Sequence, residues 1–371
     1  MKYPTSKRQG LEEGFEAAMQ GFVDSNEIEA SEEENVFHTK TPLTLKECRN
    51  AVQNIFSGTT CYDLIQQSAK VIVFEKTIPC HMAFYALVEH DANAAPIWDP
   101  ARHTFVAMMT VSDYIRALRL CNAQNISMLE FQQKSIAEIM ESSVFQLEHP
   151  EFSSVDAEDS IQMMCYYFNR TQYDYVPVVN PDDGSLLSVL GYLDILHLLD
   201  EAAKQHPEYF EMSLESMRVP VESSGVVTAP ATTQVVDVLG MGDKSSTIGG
   251  GGGSKTQTGI PILDANGMVQ GIYHKTDVAF VVKAGDPESV LTNMNNLTVD
   301  DIFTLHKKQE SAGERGRLAS NLAVCNVNDS IASVISSMMR ARSNMIIVCN
   351  EKEQYVGIVT VRAIVSSFFD D

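Results

Sequence analysis

The feature that limits this chain most is a pattern that occurs four times. A short apolar strand runs into a turn, a second strand follows, and a helix begins. The first halves read APIWDP (95–100), VPVVNPDDG (176–184), IPILDANG (260–267) and IIVCNEKE (346–353). The second halves read FVAMMTVSDYI, LSVLGYLDIL, VQGIYHKTDVA and YVGIVTVRAIV. Pro96, Pro177, Pro261 and Ile347 lie 81, 84 and 86 residues apart, and Asp113, Asp194, Asp277 and Ala363 lie 81, 83 and 86 apart. Within each unit the gap is 17, 17, 16 and 16. Self-similarity at a fixed period means one supersecondary unit built repeatedly, each copy burying its open face on a neighbour.

The first unit is the most legible. Val71–Phe74 is β-branched and apolar and predicts a strand; Ile78 to Val88 has helical spacing. Ala95–Trp98 predicts a short buried strand, Asp99-Pro-Ala-Arg102 a turn, and Phe105–Thr110 a further strand. Ser112-Asp113 is placed to cap the helix that carries Tyr114, Ile115 and Leu118 inward. Each unit is thus strand, helix, strand, strand, helix, an α+β arrangement. The boundaries that follow are 46–125, 126–206, 207–290 and 291–371, after an N-terminal segment 1–45. Leu43 to Ile55 predicts a lead-in helix.

That first segment stands apart. From Leu11 to Glu34 it carries nine acidic residues and neither Lys nor Arg. Such a composition cannot bury enough apolar surface to fold alone. Phe15, Met19 and Phe22 nevertheless share one helical face, suited to a partner. A second irregularity lies in the third unit. Val235–Met241 starts a helix that a glycine-rich insertion at about 242–255 interrupts, and Gly249–Gly253 cannot be helix interior.

Net charge excludes one class of partner. The formal charge is −22, whereas nucleic-acid binding needs clustered Lys and Arg. No apolar window is long enough to span a membrane, and the first residues lack the apolar core of a signal peptide. The seven cysteines are scattered without a CxxC pair and are expected to be reduced thiols in a cytoplasmic protein, with the nucleus as a second compartment. The nine histidines are not at metal spacing, and no nucleophile elbow, HExxH, Walker or kinase motif occurs. Neither a metal, a cofactor nor a catalytic group is expected.

What the repeats do offer is a strand-to-helix junction in each unit. A helix N-terminus presents unpaired N–H groups and favours anions. Thr110 and Asp113 sit on the first such rim. Asp there has two readings: a helix cap, or a carboxylate offered to a vicinal diol.

The unit resembles a cystathionine β-synthase (CBS) domain, and four in one chain resemble two Bateman pairs forming a flattened disc. CYDLI (61–65), AFYALV (83–88), AAPIWD (94–99) and FVAMMTVSDYI (105–115) resemble the γ regulatory subunits of the AMP-activated protein kinase family, including the yeast member. The resemblance covers about residues 50–371. It implies a non-catalytic subunit that senses AMP, ADP or ATP within a heterotrimer, beside a catalytic α kinase subunit and a β scaffold subunit.

Residue by residue, the resemblance implies that Asp113, Asp194 and Asp277 bind ribose hydroxyls. Thr110, His274 and Thr360 fill the hydroxyl position near the α-phosphate, and Thr258 matches a serine that touches nucleotide. Lys308 stands for one arginine of the family's central phosphate cluster, with Lys307, Arg315 or Arg317 as substitutes. The departures are equally specific. Gly191 replaces the second hydroxyl and Ala363 the fourth ribose carboxylate. Asn93, Asp174, Tyr175, Leu193, Asn344 and Met345 occupy positions where the family gathers its basic residues. Two other functions fit the same residues. One is a γ-like scaffold that no longer senses nucleotide; the other is a stand-alone CBS protein that binds another adenosyl ligand such as S-adenosylmethionine.

Overall fold

The computed structural model describes residues 43–65, 71–90, 92–124, 126–142, 147–171, 173–244, 259–283, 289–311 and 322–369. The acidic segment 1–42, the glycine run, Thr258, Arg315 and Arg317 lie outside the described residues.

A helix, α1 (Leu45–Gly58), comes first. Thr44 caps it: the Glu47 N–H donates to the Thr44 hydroxyl and Thr44 N–H to the Glu47 carboxylate. The first unit is β1 (Phe74–Glu75), α2 (Cys80–Glu89), β2 (Ala94–Asp99), β3 (Thr104–Thr110) and α3 (Val111–Gln124). Two short helices follow, α4 (Met128–Gln133) and α5 (Ile136–Met140). The second unit is β4 (Val155–Asp156), α6 (Ile161–Thr171), β5 (Tyr175–Val179), β6 (Leu186–Gly191) and α7 (Tyr192–Gln205). The third is α8 (Val235–Lys244), β7 (Gly259–Leu263), β8 (Val269–His274), a 3-10 turn (Lys275–Asp277) and α9 (Val278–Lys283). Then come α10 (Val290–Asn296) and α11 (Val299–Ser311). The last unit is β9 (Val324–Cys325), α12 (Ile331–Ala341), β10 (Met345–Cys349), β11 (Tyr355–Thr360) and α13 (Val361–Ser367).

In three units a two-residue parallel strand joins an antiparallel hairpin. In the third unit Ala229 takes that strand's place, pairing parallel with Ile262. Every hairpin slips register at the same point: Ile97/Trp98, Val178/Val179, Ile262/Leu263 and Val348/Cys349. A bulge raises the local twist, so the shared position bends all four hairpins alike. The extra residue lies on the second strand of each hairpin, and the residue after it is small: Ala107, Ser188, Gly271 and Gly357. At Gly271 and Gly357 the reason is close approach, because a Cβ would lie 2.6 Å from the Phe303 ring and 2.6 Å from the Glu222 carbonyl oxygen.

The apolar run before β1 departs from expectation. Only Phe74 and Glu75 pair, with Ile97 and Trp98. Val71 and Ile72 instead line a central cavity. The helix cap also differs: Thr110, not Ser112, accepts the Asp113 N–H, and Ser112 accepts from Lys275.

Four contacts of two kinds close the units into a ring. Units one and two meet through their sheets, where Met108 N–H donates to the His149 carbonyl and the Phe105 and Phe152 rings lie 4.9 Å apart. Units three and four meet the same way, around Ile272, Met345, Ile347 and Ile358. The larger apolar clusters cross between these pairs, through helices. Units one and three share Leu118, Ile115, Val235, Val238 and Val278, all buried. Units two and four share Leu196, Leu199, Ile331, Val334 and Ile335. In α12 the buried Ile331, Val334, Ile335 and Met338 recur at helical spacing, and each is worth roughly 1.5–3 kcal/mol on burial. The lead-in α1 joins the second of these clusters, its Cys48, Val52 and Phe56 packing with units two and four. Phe131, Ile136 and Ile139 of α4 and α5 pack with units one and three.

All seven cysteines are unpaired and six are buried, as packing residues. Among the described residues no helix is long and apolar enough to cross a membrane.

Candidate functional site

The ring encloses a cavity of about 920 Å³ to which every unit contributes. The four strand-to-helix junctions are treated differently within it.

In unit one, Asp113 is completely buried and lies behind the wall. Its Oδ2 accepts the Thr110 N–H at 2.8 Å and the Thr110 hydroxyl at 2.9 Å. Its Oδ1 accepts the Glu148 N–H at 2.7 Å and faces Arg116 at 3.3 Å. Both oxygens are committed within the protein, so a diol would have to replace these bonds. Thr110 reaches the cavity, and its single hydroxyl proton is within reach of both Asp113 Oδ2, at 2.9 Å, and Glu148 Oε2, at 3.0 Å. Burial works to raise the Glu148 pKa; Lys275 first, then Arg116 and His149, outweigh it and hold the carboxyl below its ordinary range.

In unit two, Asp194 lines the cavity, and its Oδ2 accepts the Gly191 N–H at 2.7 Å. Asp174 also faces the cavity, and Arg362 from unit four donates to its Oδ1 at 3.0 Å. That guanidinium stacks over the Tyr192 ring at 5.2 Å.

Unit three brings the most functional groups together. Asp277 is 1% exposed. Its Oδ2 accepts the His274 N–H at 2.7 Å, and its Oδ1 lies 3.3 Å from His306 Nε2. His274, Asp277 and His306 all line the cavity. Burial pulls the His274 imidazole below its ordinary pKa, against the pull of Asp277 and with the help of His306, so it acts as a neutral donor or acceptor. In unit four, the Thr360 hydroxyl accepts the Ala363 N–H at 3.1 Å; Thr360 caps α13 and does not line this cavity.

Three cations in the wall were not legible as a group. Lys275, Lys307 and Arg342 line the cavity, and Lys308 does not. Helical phase explains the choice. Phe303, His306 and Lys307 are spaced i, i+3, i+4 on α11 and present one face, while Lys308 is a further 100° around. Among the described residues no group of three or more His, Cys, Asp or Glu is arranged to hold a metal.

Comparison with known proteins agrees with this architecture. A family model described as the CBS domain matches residues 136–201 and 318–370. The 5′-AMP-activated protein kinase γ subunit of Dictyostelium discoideum is 26% identical over 353 residues, covering 90% of this chain and 55% of that protein. The γ-3 subunit of Bos taurus is 22% identical over 315 residues, covering 83% of this chain and 58% of that protein. The chain therefore spans little more than half the length of these curated relatives. Among solved structures, a protein from Methanocaldococcus jannaschii, proposed as an archaeal homologue of γ-AMPK, superposes with a TM-score of 0.59 at 14% identity. It covers 82% of this chain and 98% of that one, a likeness of fold. The chain thus matches the CBS domain at 136–201 and 318–370, within a unit that recurs four times, and is similar in sequence to the γ subunits of the AMP-activated protein kinase.

Proposed function

We propose that the chain is the non-catalytic, adenine-nucleotide-sensing γ-type subunit of a heterotrimeric Ser/Thr protein kinase, assembled in the cytoplasm with a catalytic α and a scaffold β subunit. The observation that carries this reading is the likeness to kinase γ subunits over 90% of the chain, joined to one cavity that all four units line. Asp277 with His274, and Asp194, are the carboxylates placed to take ribose hydroxyls from that cavity. A bound nucleotide touches several units at once and so shifts their contacts. That shift in kinase activity can be no larger than the ligand's difference in affinity for the two states.

A scaffold without sensing is the second reading, and two observations favour it for particular units. Asp113 does not line the cavity and each of its oxygens already holds two polar contacts, and Ala363 has no carboxylate at all. Calorimetric titration of the full chain with AMP, ADP, ATP and S-adenosylmethionine separates the readings. Saturable binding of an adenine nucleotide, lost in Asp277→Asn, is expected. Heat with S-adenosylmethionine alone would point to a stand-alone adenosyl binder. No heat from any of the four, with β-subunit binding intact, would leave only the scaffold.

A further inference from the structure

The first helix of each unit meets a different neighbour. Its third and sixth residues are Met82 and Tyr85 in α2, Met163 and Tyr166 in α6, Asp237 and Gly240 in α8, and Ser333 and Ser336 in α12. In units three and four the third residue is polar, and a helix from across the ring covers the sixth. The Arg119 guanidinium of α3 lies 3.3 Å from where a Cβ on Gly240 would stand. Ser336 donates to Asp200 of α7 at 3.0 Å. In unit two both positions are open and both are apolar, with Met163 and Tyr166 each 54% exposed.

This open face continues into a groove beside α1. The Tyr166 ring lies 5.9 Å from that of Phe369, which stacks on Phe56 of α1 at 5.8 Å. Ser57 at the end of α1 donates to Gln162 of α6 at 2.7 Å. Arg170 continues the row of Met163 and Tyr166 at i+7 on α6, and Lys46 stands on the first turn of α1; both are exposed. An apolar strip between two helices, with a cation on each, suits an acidic chain that carries large apolar side chains.

This chain has such a segment, and it enters here. Leu11 to Glu34 hold nine carboxylates and no Lys or Arg, with Phe15, Met19 and Phe22 on one helical face. The segment joins the fold at Leu43, directly before Thr44 and α1. The stretch from Phe22 to Leu43 can span up to about 70 Å, against about 21 Å for the whole of α1. A composition that cannot fold alone can order on a surface that supplies the missing apolar contact.

We propose that residues 11–34 fold back on their own chain, seating Phe15, Met19 and Phe22 against Met163, Tyr166 and Phe369 in the α1–α6 groove, with the carboxylates toward Lys46 and Arg170. The segment is then an internal occupant that any other partner of this face must displace. The inference stands apart from the nucleotide reading.

The test is oxidation of the full chain by hydrogen peroxide, with sulfoxide formation at each methionine read by mass spectrometry. Met82 is 56% exposed and Met163 54%, so Met82 is the internal reference. A tethered segment is present at about 1 mM, and a contact as weak as about 0.1 mM then covers the groove about nine-tenths of the time. Met163 is therefore expected to oxidise about ten-fold more slowly than Met82. Phe15→Ser and Phe22→Ser together, outside the packed core, should bring the two rates within about two-fold. Dilution of the protein by about a hundred-fold should change nothing, because the contact is intramolecular. Equal rates in the wild-type chain would overturn the proposal, as would protection that survives in the Phe15 and Phe22 double variant. Protection lost on dilution would assign the face to a second copy, and protection seen only after adding α and β kinase subunits would assign it to them; either overturns the internal occupant.

Discussion

Asp113→Ala is expected to destabilise the fold by about 3 kcal/mol, read as a lower urea midpoint. The size follows from what the carboxylate holds. It is completely buried and accepts the backbone N–H groups of Thr110 and Glu148, at 2.8 and 2.7 Å. Alanine leaves both donors, and the Arg116 guanidinium at 3.3 Å, without that acceptor. Unmade bonds of this kind cost more than formed ones contribute. The Glu148 N–H lies 35 residues away in sequence, so the loss also releases a contact between units one and two.

Asp113→Asn keeps the shape and removes the titration, which gives a test by pH. Burial first, then the charge on Glu148, push the Asp113 carboxyl up to about 6, against Arg116 and the two N–H donors. The ordinary value is about 4. A carboxyl whose pKa is higher folded than unfolded binds its proton more tightly in the fold. Its contribution is full below about pH 4 and is lost as pH rises through about 6. The advantage of wild type over Asp113→Asn should therefore narrow from about pH 4 to about pH 6 and level off above.

Gly357→Ala is the second large effect, expected at about 3 kcal/mol in the same unfolding measurement. A Cβ at Gly357 would sit 2.6 Å from the Glu222 carbonyl oxygen and 2.8 Å from Val221 Cγ1. Glu222 and Ile358 exchange two backbone hydrogen bonds of 2.9 Å at this point. The Glu222 backbone cannot turn aside, so the segment around Glu222 in unit three must leave β11. Gly271→Ala is the control at the equivalent position. There the Cβ meets only the Phe303 ring, at 2.6 Å, which can rotate toward the cavity, and about 1–2 kcal/mol is expected.

The repeat was legible because the period-two strands, the turn residues and the helix starts recur at nearly fixed gaps. The bulge and the small residue beside it were present in the same strings. The closure of the ring was less visible. Units one and three, and two and four, share their apolar clusters through helices, and helix-to-helix partners at such separations leave no local periodicity. The site divided along the same line. Thr110, His274, Asp194 and Asp277 could be placed by position in the unit. The saturation of Asp113 could not, since one partner is a backbone N–H from another segment. Lys307 was within reach of helical phase, as Phe303 and His306 share its face, while Arg342 depends on a left-handed turn that an arginine does not announce. The run Val71–Ile72 shows the limit of pattern itself. Apolar, β-branched residues predicted a strand, and in the fold they cover a cavity wall instead.

The most direct measurement is the activity of the kinase trimer assembled from this chain with catalytic α and scaffold β subunits, with and without saturating AMP. Stoichiometric assembly, a change in activity on adding AMP, and loss of that change in Asp277→Asn with assembly intact are expected. A trimer whose activity is the same with and without AMP, or a chain that joins neither subunit, would contradict a nucleotide-sensing γ-type subunit.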